Sequence, residues 1–320
     1  MKKIKAWFAA ARLRTLPLSV SGIIVGASAG LLHKTNNLSA QLDTEFGGTA
    51  CLSGRSILES PLFWLAILVT VGFQVLSNFA NDYGDGIRGT DAKREGELRM
   101  VASGAISPKE MKIGMFITGI ITFFLATVLI FIAFGNQNFI ISFIFFNLTI
   151  VSIVAAVKYT VGKKAYGYSG LGDIFVFLFF GLLSVLGSYY LFTHYFNWQL
   201  LLPAIAIGCF STAVLNLNNL RDVNNDAAAG KNTMVVKLGI NKAKQYHAFL
   251  LFFGVFCAIV YTVLNYQNPW QFVYLIAFIP FVLNIKTVFK NTIPKLLDGE
   301  LKKVALSTFL FAILFSIFMC

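Results

Sequence analysis

Two short polar stretches, far apart in the chain, share one spacing of side chains that could bind a metal ion. Each has an oxygen-bearing side chain, an aspartate four residues later and a glycine four residues after that: Asn81, Asp85 and Gly89, and then Asp222, Asp226 and Gly230. On an α-helix, residues four apart lie on the same face, so each stretch would direct two oxygen ligands to one point. Carboxylate and amide oxygens suit Mg²⁺, which typically takes one or two carboxylates and fills its shell with water and substrate phosphate. Two such stretches facing each other would hold a metal-bridged diphosphate.

The elements that must position these stretches are membrane-spanning helices. The chain is 57% hydrophobic and only 12% charged, and its mean hydropathy is +0.73. Soluble domains are about one quarter charged, so the composition favours a multi-pass protein of the lipid bilayer. Apolar runs near the roughly 20 residues needed to cross a bilayer lie at 15–32, 61–80, 113–134, 138–157, 172–192, 200–217, 246–265, 271–289 and 304–319. The sequence therefore predicts an all-α integral membrane protein with nine transmembrane helices.

The distribution of basic residues predicts the orientation of these helices. Of the 26 Lys and Arg residues, 24 lie in the N-terminal tail and in every second loop after it, namely 81–112, 158–171, 218–245 and 286–303. By the positive-inside rule that side is the cytoplasm. We therefore expect a cytoplasmic N-terminus and an outside C-terminus.

The same distribution of basic residues places both polar stretches on one side of the membrane. We expect a single transmembrane domain over 1–320, with the acidic motifs in cytoplasmic loops 81–111 and 218–245. The net charge of +12 is mainly a signal of topology, and it also favours anionic substrates that arrive from the cytoplasm. No nucleic-acid partner is expected.

Further polar side chains lie close to the ends of the predicted spans. Tyr159 and Lys163 are four residues apart, which would place a phenol and an ammonium on one helix face. A lysine beside a diphosphate neutralises charge on the leaving group, and an aromatic face stabilises an allylic cation. The alternative is an interfacial aromatic belt with positive-inside lysines. Asp173, at the start of the fifth span, is either a helix cap or a substrate contact.

Two other candidates precede or end a span. Arg14 is either a positive-inside anchor or a contact to an anionic substrate. Asn78 belongs to a group of polar residues at the end of the second span, and polar residues within a membrane helix usually line a cavity.

These motifs resemble those of the UbiA superfamily of intramembrane aromatic prenyltransferases, whose fold is nine transmembrane helices with two aspartate-rich cytoplasmic motifs. The first family motif, Asn-Asp-x-x-Asp-x-x-x-Asp, matches Asn81, Asp82 and Asp85, with Gly89 in place of the last acid and Asp91 two residues later as its candidate substitute. The second, Asp-x-x-x-Asp followed by Gly and Thr, matches Asp222, Asp226, Gly230 and Thr233 in full. A family Tyr-x-x-x-Lys pair matches Tyr159 and Lys163.

Within the superfamily, four runs are similar to the menaquinone branch, and the resemblance covers essentially the whole chain. They are Asn-Asp-Tyr-Gly-Asp at 81–85, Tyr-Thr-Val-Gly at 159–162, Tyr-Gly-Tyr-x-Gly-Leu-Gly-Asp at 166–173 and Asn-Asn-Leu-Arg-Asp at 218–222. The implied reaction joins an all-trans polyprenyl diphosphate to 1,4-dihydroxy-2-naphthoate, giving demethylmenaquinone, CO₂ and diphosphate, at the bacterial cytoplasmic (inner) membrane.

The resemblance also implies roles for individual residues. The implied Mg²⁺ ligands are Asn81, Asp82, Asp85, Asp222 and Asp226, and the implied catalytic residues are Tyr159 and Lys163, with Asp173 at the end of the run 166–173. From their position in or beside these motifs, we expect substrate contacts from Arg14, Asn78, Arg221, Lys231, Tyr166 and Tyr168. The isoprenoid tail would lie in an apolar groove among the helices, where burial is favourable by ~0.8 kcal/mol per CH₂.

Two alternative functions are open at this point. A secondary transporter also carries intramembrane acids, but here the acids cluster at predicted cytoplasmic helix ends instead of the middle of the membrane. A prenyltransferase of the same family could use another aromatic acceptor, such as 4-hydroxybenzoate.

Overall fold

The computed structural model describes residues 2–46, 57–90, 99–135, 138–162 and 164–319, with only the backbone described for Lys2 and 34–46. Over these residues all regular secondary structure is helical. The α-helices are α1 (Lys2–Ala11), α2 (Leu16–Phe46), α3 (Pro61–Arg88), α4 (Pro108–Phe134), α5 (Phe139–Lys158), α6 (Gly172–Val176), α7 (Ser184–Thr193), α8 (Leu201–Ala228), α9 (Met234–Leu238), α10 (Ile240–Leu264), α11 (Ile279–Lys290) and α12 (Asp298–Ile317). A π-helical segment, Phe177–Leu183, joins α6 to α7, and a 3₁₀ segment, Pro269–Phe278, precedes α11.

Eight helical segments in the described residues are long and apolar enough to cross a membrane. They match the first eight predicted spans, with α6, the π segment and α7 forming the fifth. The ninth predicted span falls on α12, whose first turns carry Asp298, Glu300, Lys302 and Lys303. These charges shorten its uncharged part to 304–317. The all-helical membrane architecture is therefore confirmed for eight spans, and the ninth span and the orientation of the termini stay predictions.

The second and sixth spans continue well past their apolar runs. Helix α3 extends to Arg88 and ends at Gly89, whose φ of 74° is left-handed and favours glycine. Helix α8 extends to Ala228, two residues before Gly230 at φ 68°. Both acidic motifs therefore lie on helix ends, as their spacing of four residues predicted, and the loops expected at 81–111 and 218–245 begin only after the motif residues.

Helix α8 is the centre of the bundle. It is the most buried of the candidate spans, and it packs on α10, α12, the π segment and α2. Helices α4 and α5 lie at the periphery, where large side chains such as Phe116, Phe124 and Phe139 are exposed, as expected for surfaces that face lipid.

Small residues allow α2 and α7 to approach each other closely. A Cβ built on Gly26 would overlap the carbonyl oxygen of Val185 and the hydroxyl of Ser188, and one built on Gly22 would overlap Ser184. In a membrane, helices associate through this kind of close packing because lipid tails are as apolar as the side chains. The small residues at Gly22 and Gly26 therefore let α2 lie directly against α7.

We expect Gly26→Ala to destabilise the protein by about 1–3 kcal/mol, since the added methyl must displace backbone in a packed interface. Gly119→Ala is the matched control, because a Cβ at Gly119 would meet its nearest neighbour, Leu76, only at 4.0 Å. There the same substitution should be neutral or stabilising, because alanine has the better helix propensity. Thermal unfolding of the two variants in detergent checks this, and equal midpoints would contradict the packing argument.

Candidate functional site

A cavity of about 370 Å³ runs into the bundle from the end that carries both acidic motifs. Its walls come from α2, α3, α4, α5, the fifth span, α8 and α12. The charged residues that line it are five cations and one carboxylate: Arg12, Arg14, Arg99, Lys231, Lys302 and Asp85. This end of the cavity therefore attracts anions.

The opposite part of the cavity is apolar. It is lined by aliphatic and aromatic side chains that include Ile23, Val69, Leu129, Phe145 and Leu191. The π segment contributes Phe179, Phe180 and Leu183 to the same wall. Such π-bulges are frequent at functional sites, because the extra residue redirects the neighbouring side chains. An amphiphile with an anionic head and a hydrocarbon tail matches the two halves.

Two arginines reach the mouth of the cavity from a turn between α1 and α2. Arg12 has a left-handed backbone, with φ 48°, which is strained for a non-glycine residue. The turn is held by Thr15, whose hydroxyl accepts hydrogen bonds from Gln74 at 3.1 Å and from Asn78 at 3.4 Å. Asn78 also donates to the carbonyl of Ala11 at 2.8 Å. Asn78 thus lines the cavity, and its amide group holds the turn that carries Arg12 and Arg14; its contact with a substrate stays a prediction.

In the first motif, Asp85 is the carboxylate that faces the cavity. It is only 2% exposed and accepts a hydrogen bond of 2.7 Å from the Tyr168 hydroxyl. Burial and the neighbouring Asp85 raise the pKa of Tyr168 to about 12, so this phenol stays protonated and acts as a donor. Asn81, one turn earlier, accepts a hydrogen bond of 3.2 Å from Thr160. Tyr168, which we expected at a substrate, therefore positions a motif carboxylate.

In the second motif, Asp226 lies near the same lysine as Asp85 of the first motif. The Nζ atom of Lys231 lies 3.5 Å from Asp85 Oδ2 and 3.8 Å from Asp226 Oδ1. One carboxylate from each motif is therefore within reach of a single cation. The tertiary structure brings together residues separated by more than 140 positions, as the paired motifs predicted.

The other acid of the second motif belongs to a chain of ion pairs. Both carboxylate oxygens of Asp222 accept from Arg221, at 2.8 and 2.7 Å. Arg221 also donates to Asp298 of α12 at 2.6 Å, and Asp298 lies 3.7 Å from Arg14. Arg221 is almost completely buried, so these carboxylates supply the compensating charge. The chain links the second motif to the arginine turn across the mouth of the cavity.

The remaining acid of the first motif points to a backbone turn. Asp82 is 1% exposed, and its two oxygens accept from the backbone N–H groups of Met100 and Val101, at 3.0 and 2.9 Å. The residue before this turn is Arg99, which is buried and lines the cavity. The role of Asp82 in this arrangement is to hold the segment that carries Arg99.

The residues predicted between the fourth and fifth spans are distributed over two locations. Tyr159 and Tyr166 line the cavity, and their rings meet edge to face at 5.3 Å. Burial, followed by the charge of Asp173, raises the pKa of the Tyr159 phenol, which therefore remains neutral. Asp173 is buried, hydrogen-bonded to Tyr246 of α10 and away from the cavity wall. Lys163 and Asp91 lie outside the described residues.

Four residues of the site had no specific role in the sequence-based predictions. Arg12 lies in the N-terminal tail, Arg99 in loop 81–112, and Asp298 and Lys302 in loop 286–303, segments that the sequence used only to predict orientation. Arg12, Asp298 and Lys302 lie within a few residues of a predicted span, whereas Arg99 lies in the middle of loop 81–112. A position near a span is shared by many basic residues with no role in a site.

The donor set at this end of the cavity fits a hard divalent cation. Asp85 and Asp226 are buried, oppose each other and already surround a positive charge. Within the described part of the chain, no group of three or more His, Cys, Asp or Glu side chains forms a metal site. A pair of carboxylates is the usual protein contribution to Mg²⁺, with water and phosphate oxygens completing the shell.

The sequence of this chain is similar to those of known proteins. The sequence profile described as the UbiA prenyltransferase family matches residues 44–318. The chain is 39% identical to a 1,4-dihydroxy-2-naphthoate octaprenyltransferase of Haemophilus influenzae, over 99% of this chain and 96% of that protein. It is 37% identical to the protein of that name from Escherichia coli, over 98% and 96% of the two chains.

A solved structure shares the fold. It was described in work on the biosynthesis of digeranylgeranylglyceryl phosphate synthase in membranes, and it superposes with a TM-score of 0.58 at 15% identity, over 99% of this chain and 98% of that one. At this identity the likeness concerns the fold alone. With the family profile matching most of its length, the chain belongs to the UbiA prenyltransferase family.

Proposed function

We propose that this protein transfers a polyprenyl group from polyprenyl diphosphate to 1,4-dihydroxy-2-naphthoate, in menaquinone biosynthesis at the bacterial cytoplasmic membrane. The observation that carries the proposal is this cavity, whose interior is apolar and whose basic mouth includes Asp85 of the first motif and Lys231, the neighbour of Asp226 in the second. A diphosphate fits the mouth and an isoprenoid fits the interior. The names of the relatives supply the naphthoate acceptor and the long prenyl donor.

The proposed metal ligands are Asp85 and Asp226, with Asn81 and Asp222 beside them on the same helix faces. When bound, Mg²⁺ would neutralise charge that develops on the diphosphate leaving group. Asp222 is held in place by Arg221, and Asp85 by Tyr168. Because these partners fix the carboxylates in advance, the two motifs need little rearrangement to bind a cation and its diphosphate.

The cations at the mouth would bind the anionic parts of both substrates. Lys231 is near the motif carboxylates, so we assign it to the diphosphate. Arg12, Arg14 and Arg99 lie along the same wall and are candidates for the naphthoate carboxylate. The neutral ring of Tyr159 faces the cavity, where it can stabilise positive charge on the allylic carbon as the C–O bond breaks.

The net reaction replaces a carboxylate with a prenyl group, with no net oxidation or reduction. The allylic C–O bond breaks, diphosphate leaves with its electron pair, a new C–C bond forms at the ring, and the carboxylate leaves as CO₂. The immediate product on this balance is the quinol form of demethylmenaquinone.

We expect prenyl transfer to require a divalent cation and to fall by about 10²–10³ in Asp226→Asn and Asp85→Asn, the loss typical for a group that stabilises developing charge. Glu59→Gln is the control, because it removes an exposed carboxylate that precedes α3, at the opposite end of that helix from the first motif. Formation of prenylated naphthol by purified protein, with Mg²⁺ titrated after chelator treatment, measures both effects. Full turnover in excess chelator would rule out the metal site.

Asp82→Asn is expected to act through stability and not through metal affinity. The amide offers one acceptor to two buried backbone donors, so the variant should lose about 1–3 kcal/mol of stability. Its Mg²⁺ requirement should match wild type, whereas Asp85→Asn should need more Mg²⁺. If Asp82→Asn raised the Mg²⁺ requirement as much as Asp85→Asn does, Asp82 would be a metal ligand, as the motif predicts.

The acceptor can be tested directly. We expect 1,4-dihydroxy-2-naphthoate to be prenylated with release of CO₂, and 4-hydroxybenzoate to be used at least ~10²-fold less well, which a few kcal/mol of pocket contacts can provide. Competition between the two acceptors, with labelled carboxylate to follow CO₂, gives the ratio. Comparable rates would assign the protein to another acceptor while leaving prenyl transfer intact.

A further inference from the structure

One ammonium group connects the two acidic motifs. Lys231 Nζ lies 3.5 Å from Asp85 and 3.8 Å from Asp226, and all three residues are buried. The ring of Tyr168 lies 5.4 Å from the same nitrogen. Lys231 therefore occupies the space on which the carboxylates proposed for the metal converge.

The backbone around Lys231 is anchored, and its side chain is the movable part. Its N–H donates to the carbonyl of Asp226 at 2.8 Å, directly after the left-handed Gly230. On its other side, Thr233 caps α9 by accepting from the Val236 N–H at 3.3 Å. A four-carbon stem on a fixed backbone can direct its ammonium to a new partner without moving either motif.

An ammonium and a divalent cation are rivals for the same two carboxylates. Like charges a few ångströms apart in a buried site repel strongly, so each lowers the affinity of the site for the other. A bound diphosphate changes this balance, because its oxygens offer the ammonium another anionic partner. The carboxylates are then available to the metal.

We propose that Lys231 makes divalent-cation binding conditional on the diphosphate. When the metal binds alone, it must displace the Lys231 ammonium from its ion pairs with the carboxylates. When a prenyl diphosphate binds as well, Lys231 pairs with the diphosphate and the carboxylates can bind the metal. The inference rests on the proposed metal-dependent prenyl transfer and adds to it a coupling between the two ligands. By linkage, the coupling is reciprocal, so the metal also increases diphosphate affinity.

The test measures binding of Mn²⁺ alone to the full-length protein in detergent at pH 8, from the electron paramagnetic resonance signal of the free ion. Lys231→Met removes the ammonium and should bind Mn²⁺ at least about tenfold more tightly than wild type, the size of effect one nearby charge has on the proton affinity of a carboxylate. Lys231→Arg keeps the charge and should bind as weakly as wild type.

Lys237→Met is the matched control. It also removes one lysine charge close to the second motif, but Lys237 is exposed and donates to the carbonyl of Ser169 instead of a carboxylate. Its Mn²⁺ affinity should equal that of wild type. Equal Mn²⁺ affinity in Lys231→Met and Lys237→Met would overturn the proposal.

A measurement on wild type keeps the proposal open to refutation if Lys231→Met does not fold. The thermal midpoint is followed with Mn²⁺, with a non-hydrolysable geranyl thiodiphosphate, and with both. The combined shift should exceed the sum of the separate shifts, and full stabilisation by Mn²⁺ alone would contradict the coupling. If Mn²⁺ bound neither with nor without the analogue, the proposed metal site itself would be wrong, and the coupling with it.

Discussion

Compensation of buried charge is the constraint on which the site depends. Four aspartates of the two motifs lie at the ends of α3 and α8 in positions that exclude most water, where an uncompensated carboxylate costs several kcal/mol. Asp85 and Asp226 share Lys231, Asp222 pairs with Arg221, and Asp82 accepts from two backbone N–H groups. These partners determine which acids face the cavity.

The same pairs connect elements that are distant in the sequence. The ion pairs of Asp298 join α12 to α8 and to the turn before α2. Asp82 joins α3 to the turn at Met100, and Thr160 joins the end of α5 to α3 through a hydrogen bond of 2.7 Å to the carbonyl of Ala80. Because the polar end is held by directional bonds, the mouth of the cavity is well defined, while close packing of small residues on α2 and α7 defines the apolar end.

The division of the cavity into a cationic mouth and an apolar interior explains how one site can handle an amphiphilic donor. Burial favours the isoprenoid by ~0.8 kcal/mol per CH₂ relative to water, and charged groups at the mouth place the diphosphate at one end. In the proposed reaction, the reacting bond would therefore lie at the boundary between the two halves. Tyr159 and Tyr166 line this same cavity, and Tyr166 stacks on Phe175 at 4.0 Å.

The sequence by itself determined the helical membrane architecture, eight of the spans and the pairing of the two acidic motifs. Apolar runs and a spacing of four residues are local properties, and helix geometry converts them directly into spans and faces. Only the tertiary structure decided the partners: Lys231 between Asp85 and Asp226, Arg99 behind Asp82, and Asp298 beside Arg221. Those contacts depend on how helices cross and where loops return, so motifs with the same spacing can place one aspartate at the cavity and its neighbour against a backbone turn.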